Sequence, residues 1–80
     1  MTFQLHDTVR IVRLLVAERE VTGSSPTPPQ PRVGETGVVV ADVGEDLLLV
    51  EHVTDDGHTV WMAEFSPAEL ELVPEQPVLG

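Results

Sequence analysis

Short apolar runs separated by turn-forming residues occupy most of the chain. The runs at 37–43, 47–53 and 58–65 are rich in valine, leucine and aromatic residues, a composition that favours strands. Gly44-Glu45-Asp46 separates the first two runs, and Thr54-Asp55-Asp56-Gly57 separates the second from the third. Because Asp-Gly is a strong signal for a tight β-hairpin, the pattern predicts three consecutive strands joined by two turns.

The stretch Val33-Gly34-Glu35-Thr36-Gly37 leads into three consecutive valines. Glycine tolerates positive φ and close approach of neighbouring backbone, so this Gly-x-x-Gly spacing predicts a tight turn before the central strand. A phosphate-binding loop would instead need a Lys after the glycines and then a helix. The chain has no Lys, and a strand pattern follows the glycines, so we interpret the stretch as a turn.

The N-terminal apolar segment, residues 7–17, is ambiguous. Val9 and Ile11 alternate with polar residues, which predicts a strand. Val9, Val12 and Val16 also fit helical spacing, so a helix remains the alternative. The high content of β-branched residues favours the strand.

A short helical turn is predicted before the last strand. Ser66 has the character of an N-cap, and Pro67 is favoured at the first helical position. Glu69 stands three residues after Ser66, which completes a capping box. Residues 71–73 are then predicted to form a short closing strand.

Several short strands joined by turns predict an all-β fold with one core, a small barrel or sandwich of five strands. In the fourth strand we favour Trp61, Ala63 and Phe65 as inward-facing, because the opposite set ends in the charged Glu64. The alternative is an exposed Trp61 that serves as a binding anchor. An Asp in place of Val40 is expected to prevent folding, since an unpaired buried charge is very costly. The predicted core consists of Val9, Ile11, Val38, Val40, Leu48, Val50, Phe65, Leu70 and Val73.

Eighty residues predict one domain, which we assign to residues 1–73. Four prolines between positions 26 and 31 remove backbone donors and favour polyproline II. Residues 19–32 are therefore expected to form a flexible Pro-rich insertion in the first long loop. Residues 74–80 are expected to form a frayed tail.

The charge of the chain narrows the classes of partner. Fourteen Asp and Glu face four Arg and no Lys, which gives a formal charge of −10. Nucleic acids and anionic membranes attract basic surfaces, so neither is expected to be a partner. A basic protein surface or a larger enzyme subunit is the expected partner. The N-terminus lacks the features of a signal peptide and no run approaches a membrane span, so a cytoplasmic location is expected.

Histidines and carboxylates are the remaining candidates for chemistry. None of His6, His52 and His58 stands at i+2 or i+4 from another, so we predict no metal or cofactor. The chain has no Cys, and we predict no catalytic residue. The alternative is a small enzyme or ligand-binding barrel that uses a histidine and strand carboxylates. Those carboxylates are Asp42, Glu51 and Glu64.

Four short motifs carry a resemblance to a known superfamily: Asp7-x-Val9, Gly34-x-x-Gly37-x-Val39-Val40, Val50-Glu51-His52-x-x-Asp55-Asp56-Gly57-x-Thr59 and Leu70-x-x-Val73. Together they resemble small SH3-like β-barrels over about residues 5–73, and most closely a family of short bacterial proteins termed a domain of unknown function. More distantly they are similar to the SH3-like accessory chains of larger enzymes, such as those of photosystem I, nitrile hydratase and ferredoxin–thioredoxin reductase. Three features depart from the pattern: His6 stands where Gly is common, His52 where an apolar aromatic is common, and the Pro-rich insertion is long.

The resemblance implies a five-stranded SH3-like barrel that docks on a larger protein. With the acidic charge, it leads us to expect a non-catalytic protein-interaction module, in the form of an accessory subunit or an immunity-like inhibitor. A homodimer through a barrel edge is a further expectation. The expected partner-binding residues are Glu45, Asp46, Asp55, Asp56 and Trp61.

Overall fold

Five antiparallel strands form one sheet in the computed structural model, which describes residues 3–74. The order of strands across the sheet is β4-β3-β2-β1-β5, and a single 3₁₀ turn at Pro67–Glu69 precedes β5. The all-β class and the five strands are confirmed, while the pairing leaves the sheet open between β4 and β5. The strands are β1 (Thr8–Ile11), β2 (Thr36–Gly44), β3 (Leu47–Val53), β4 (Thr59–Phe65) and β5 (Leu70–Leu72).

The two hairpin turns form where the sequence predicts them. Gly44, Glu45 and Asp46 all have positive φ, at 81°, 53° and 60°, so the first turn holds two non-glycine residues in a left-handed conformation. In the second turn, the backbone N–H of Thr54 donates to the carbonyl of His58 at 2.9 Å. The strand at the N-terminus is confirmed over the helix, but it ends at Ile11.

The inward face of β2 differs from the prediction. Val39 is buried, whereas Val38 and Val40 are only half-buried. Three consecutive valines do not indicate which of them points into the core. The inward position of Gly37 determines that Val39, two residues later, is the buried one. A Cβ at Gly37 would lie 2.6 Å from Val50 Cγ1, so only glycine fits this inward position. The prediction that Val40→Asp prevents folding assumed that Val40 is buried, and the buried position is Val39.

Trp61 and Phe65 lie at the centre of the core, with ring centroids 5.5 Å apart. The inward orientation favoured for Trp61 is confirmed. Val73 is half-buried and follows the last strand, which spans Leu70–Leu72 and not 71–73 as predicted, so its assignment to the core was wrong. The hydrophobic core consists of Phe3, Val9, Ile11, Val39, Leu48, Val50, Trp61, Ala63, Phe65 and Leu70.

The capping box before β5 is confirmed. The Ser66 hydroxyl accepts from the backbone N–H of Ala68, and the Ser66 backbone N–H donates to Glu69 Oε1 at 3.0 Å. Glu69 is buried, which is unusual for a carboxylate and requires compensating partners.

His6, at the start of the fold, has φ 73°, a conformation in which glycine is favoured.

Residues 13–32, which we call the arm, cross from β1 to β2 along the outer edge of β4. Thr22 pairs with Met62 through two backbone hydrogen bonds of 3.1 and 2.7 Å, and the Ser24 N–H donates to the Thr59 carbonyl at 2.9 Å. The arm therefore covers part of the edge of β4. The flexibility predicted for residues 19–32 stays a prediction, and the predicted tail lies, beyond Pro74, outside the described residues.

Candidate functional site

The acidic residues expected to bind a partner lie on two separate turns. Glu45 and Asp46 precede β3, while Asp55 and Asp56 follow it. Because β3 has seven residues, the two turns are about 20 Å apart along the strand. All four side chains are exposed, but the fold does not bring them together into one patch.

Asp56 makes hydrogen bonds within its own turn. Its carboxylate accepts from the Thr54 hydroxyl, and its Oδ2 lies 3.1 Å from His58 Nδ1. The hydrogen bonds from Thr54 and then from His58 hold the pKa of Asp56 below its usual range. This carboxylate therefore stabilises the hairpin turn before it meets any partner.

Trp61 is not available as an exposed anchor. Its side chain is fully buried, and its Nε1–H donates to Glu35 Oε1 at 3.3 Å. His52 stacks on the indole with ring centroids 5.3 Å apart. The only tryptophan of the chain thus anchors the core and the turn that contains Glu35, and we correct its assignment as a binding residue.

The carboxylates of the enzyme alternative do not converge. Glu51 accepts a hydrogen bond from the Thr59 hydroxyl, while Asp42 and Glu64 are exposed on different strands. His52 uses Nδ1 to contact the Thr36 carbonyl at 2.6 Å, so in the neutral ring Nδ1 carries the proton. Its Nε2 lies 3.6 Å from Glu35 Oε2, which completes a local network around Trp61.

Residues 3–74 contain no group of three His, Asp or Glu side chains close enough to share a metal ion. Within the same part of the chain, no helix has the length and apolar character needed to cross a membrane.

An open groove of about 500 Å³ separates the arm from the outer face of β3 and β4. We call it the arm groove. Leu15 and Val16 form the wall on the arm and are 59% and 49% exposed. The half-buried side chains of Leu49 and Met62 line the sheet side, together with Leu47. Large apolar side chains thus face an unfilled space on both walls.

Carboxylates surround the arm groove. Glu18 and Glu20 project from the arm, and Glu64 from β4, and all three are exposed. The one guanidinium in the lining belongs to Arg19, which is bound to the buried Glu69. The rim therefore carries negative charge that no neighbouring cation in the lining neutralises.

The pair of Arg19 and Glu69 fastens the arm to the sheet. Besides Arg19, Glu69 accepts from the backbone N–H of Leu15 at 2.9 Å and of Ser66 at 3.0 Å. Arg19 also donates to the Glu64 carbonyl at 2.7 Å and lies 4.2 Å above the Phe65 ring. This cluster, which we call the arm clamp, fixes the position of the Leu15 wall.

Burial alone would raise the pKa of Glu69, but the partners of the carboxylate outweigh it. Hydrogen bonds from Arg19, Leu15 and Ser66, with the positive charge of Arg19, hold the pKa below its ordinary value. Glu69 is therefore ionised at neutral pH, and its contact with Arg19 within the arm clamp joins two opposite charges.

In comparisons with known proteins, no family model, no curated protein and no solved structure matches this chain. Neither the arm groove nor the arm clamp was predicted from the sequence. One signal was present in the sequence. The apolar run Leu14-Leu15-Val16 lies beyond the end of β1, and two glutamates, Glu18 and Glu20, follow within four residues. Apolar residues that belong to no strand must pack elsewhere or stay exposed.

Proposed function

We propose that the chain is a non-catalytic, acidic protein-interaction module, an accessory subunit or an immunity-like inhibitor that docks on a basic surface of a larger protein. The observation that carries the proposal is the imbalance of exposed charge. Of the four arginines, Arg10 is paired with Glu71 and Arg19 with Glu69, so half of the positive charge is already neutralised within the fold.

The acidic turns support the proposal through long-range attraction. Glu45, Asp46 and Asp55 are exposed. The first two lie at one end of β3 and Asp55 lies at the other. A dispersed negative field of this kind accelerates the encounter with a basic partner and weakens as salt screens it. The charge thus acts on the association rate, without requiring that the turns touch the partner.

We also propose that the fold is an SH3-like barrel, as the sequence resemblance implies. In its support, the last strand pairs with the first, and the helical turn stands directly before that last strand. Within residues 3–74, another segment pairs with part of the β4 edge, and none pairs with the outer edge of β5. The β5 edge is therefore the side on which a homodimer or an added partner strand is proposed.

The test begins with capture of the partner from native lysate and its identification by mass spectrometry. The association rate is then measured at low and at physiological salt, for the natural chain and for the variant with Glu45→Gln, Asp46→Asn, Asp55→Asn and Asp56→Asn. We expect association to slow several-fold between the two salt concentrations, and to slow further in the variant. An association rate that ignores both changes would refute the acidic module.

A further inference from the structure

We propose that the arm groove binds an amphipathic helix of the partner protein, with the helix's apolar side chains inserted between the arm and the sheet and its flanking Lys or Arg against the acidic rim. This inference rests on the proposed function for the existence of a protein partner. It adds the site at which that partner is held and the chemistry of the segment that is recognised.

The walls of the arm groove supply the apolar recognition. Leu15 and Val16 are among the more exposed large apolar residues in the structure, and they face Leu49 and Met62 across the opening. Contiguous exposed apolar surface rimmed by polar residues marks interaction sites in soluble proteins. The volume of about 500 Å³ lies within the range of pockets that bind small molecules, so the groove has room for a few apolar side chains.

The arm prevents a partner from binding by backbone pairing at the β4 edge beside the groove. Thr22 already occupies the backbone groups of Met62 on the β4 edge beside the groove. A partner strand therefore has no free hydrogen-bonding ladder at that point, and recognition relies on side chains. A helix that lays its apolar face in a groove binds in this way, since its own backbone groups are paired internally.

The rim selects a basic segment over a second copy of this chain. Glu18, Glu20 and Glu64 stand around the opening, and Arg19 is held by Glu69 below them. A second copy carries a formal charge of −10 and no Lys, so it would bring like charge to the rim. A helix flanked by Lys or Arg brings the complementary charge.

The probe is a short synthetic helix-forming peptide of Leu and Lys with its leucines on one face. Binding is followed through the methyl resonance of Met62 in the groove, with the chain labelled at its methionine methyl groups. The chain has two methionines, so Met1 serves as the reference resonance. We expect the Met62 signal to shift and saturate, and we expect no shift with control peptides in which Ser replaces Leu or Glu replaces Lys.

Two matched charge variants separate a site from a general attraction. Glu18→Gln, Glu20→Gln and Glu64→Gln neutralise the rim; Glu45→Gln, Asp46→Asn and Asp55→Asn remove the same charge from the turns. We expect the rim variant to weaken peptide binding about tenfold, equivalent to about 1.4 kcal/mol, and the turn variant to weaken it far less. Leu15→Ser is expected to weaken peptide binding as much as the rim variant does. Because Leu15 is exposed, we expect the unfolding midpoint to stay unchanged.

Several results would overturn the arm groove as the site. They are equal weakening by the two charge variants, a Met62 signal that ignores the Leu and Lys peptide, or a Met62 signal that moves with protein concentration alone, which would indicate a second copy. A shift caused by Leu79→Ser without peptide would assign the groove to the chain's own C-terminal residues. If the captured partner binds the rim variant as tightly as the natural chain, and still in a salt-dependent way, the acidic module stands and only the groove is refuted.

Discussion

Two Arg–Glu pairs in this molecule share the same chemistry and differ in their surroundings. Arg10 and Glu71 meet at 2.8 Å between β1 and β5, with side chains 45% and 48% exposed. Arg19 and Glu69 meet beneath the arm, with side chains 10% and 4% exposed. The first pair joins neighbouring strands that already share a backbone ladder, whereas the second joins the arm to the 3₁₀ turn before β5 through side-chain hydrogen bonds.

The comparison shows that burial and additional hydrogen bonds decide what an ion pair contributes. Exposed pairs contribute about 0–1 kcal/mol, because water screens them and two long side chains must be ordered. A buried pair is costly to break, because its removal leaves an unpaired charge and unsatisfied donors. Glu69 accepts hydrogen bonds from two backbone N–H groups besides Arg19, so we expect the arm clamp to contribute more to stability than the exposed pair.

The largest expected effect comes from breaking the arm clamp. We expect Glu69→Ala to lower the free energy of unfolding by about 3 kcal/mol, because Arg19 loses its partner and the N–H groups of Leu15 and Ser66 lose their acceptor. Urea unfolding followed by the fluorescence of Trp61 measures it. The double variant Arg19→Met with Glu69→Leu removes both charges and is the control, expected to recover part of the loss. A Glu69→Ala variant as stable as the natural chain would contradict this role.

Acid should weaken the arm clamp by protonating Glu69, at a pH below the ordinary range of a glutamate. Because the pKa of Glu69 is lower in the folded chain, the unfolded chain takes up more protons in the acid range. The contribution of Glu69 is complete above the ordinary Glu pKa of about 4.3 and is lost as pH falls through the folded pKa.

The acid effect is measured as the slope of unfolding free energy against pH below about 5, where the lowered pKa acts. We expect Glu69→Gln to reduce the slope. Asp56→Asn is the matched comparison, since the pKa of Asp56 is also lowered but its carboxylate lies on an exposed turn. An unchanged slope in Glu69→Gln would show that other carboxylates account for acid sensitivity.

The arm can be shortened in two ways that separate its tip from its attached part. Replacing residues 25–29 with a Gly-Ser linker removes prolines and is expected to change stability by less than about 1 kcal/mol. Replacing residues 20–30 also removes the pairing of Thr22 with Met62 and of Gln30 with Arg19, and should cost about 2 kcal/mol. Thermal unfolding measures both, and backbone NMR relaxation tests the predicted flexibility of residues 19–32. Equal costs would show that the prolines themselves pack against the sheet.

The strands were predictable because their signals are local. Asp56-Gly57 marks a hairpin and Ser66-Pro67 with Glu69 marks a capped turn, each readable within four residues. The inward face of β2 was not predictable in this way. It depends on contact between Gly37 and Val50 on a neighbouring strand, and alternation within three valines says nothing about that contact.

The arm groove depends on contacts between residues far apart in the chain. Arg19 stands in a polar, Pro-rich stretch, and its partner Glu69 lies fifty residues later. The capping box explained Glu69 from local sequence alone, so nothing in the pattern required a second, distant partner. Trp61 shows the converse case: its burial was predictable from the phase of β4, while its bond to Glu35 was not.

The smallest expected effect is at the exposed pair. We expect Glu71→Gln to lower the free energy of unfolding by less than about 0.5 kcal/mol, because Arg10 remains solvated and the strands stay joined by their backbone ladder. A double-mutant cycle with Arg10→Gln isolates the pair, and its coupling should fall further when salt is raised. The same cycle at Arg19 and Glu69 should give a coupling several times larger that salt changes little. A coupling above about 1 kcal/mol for the Arg10 pair would mean that the β1–β5 junction depends on its ion pair too, and that exposure alone does not distinguish the two.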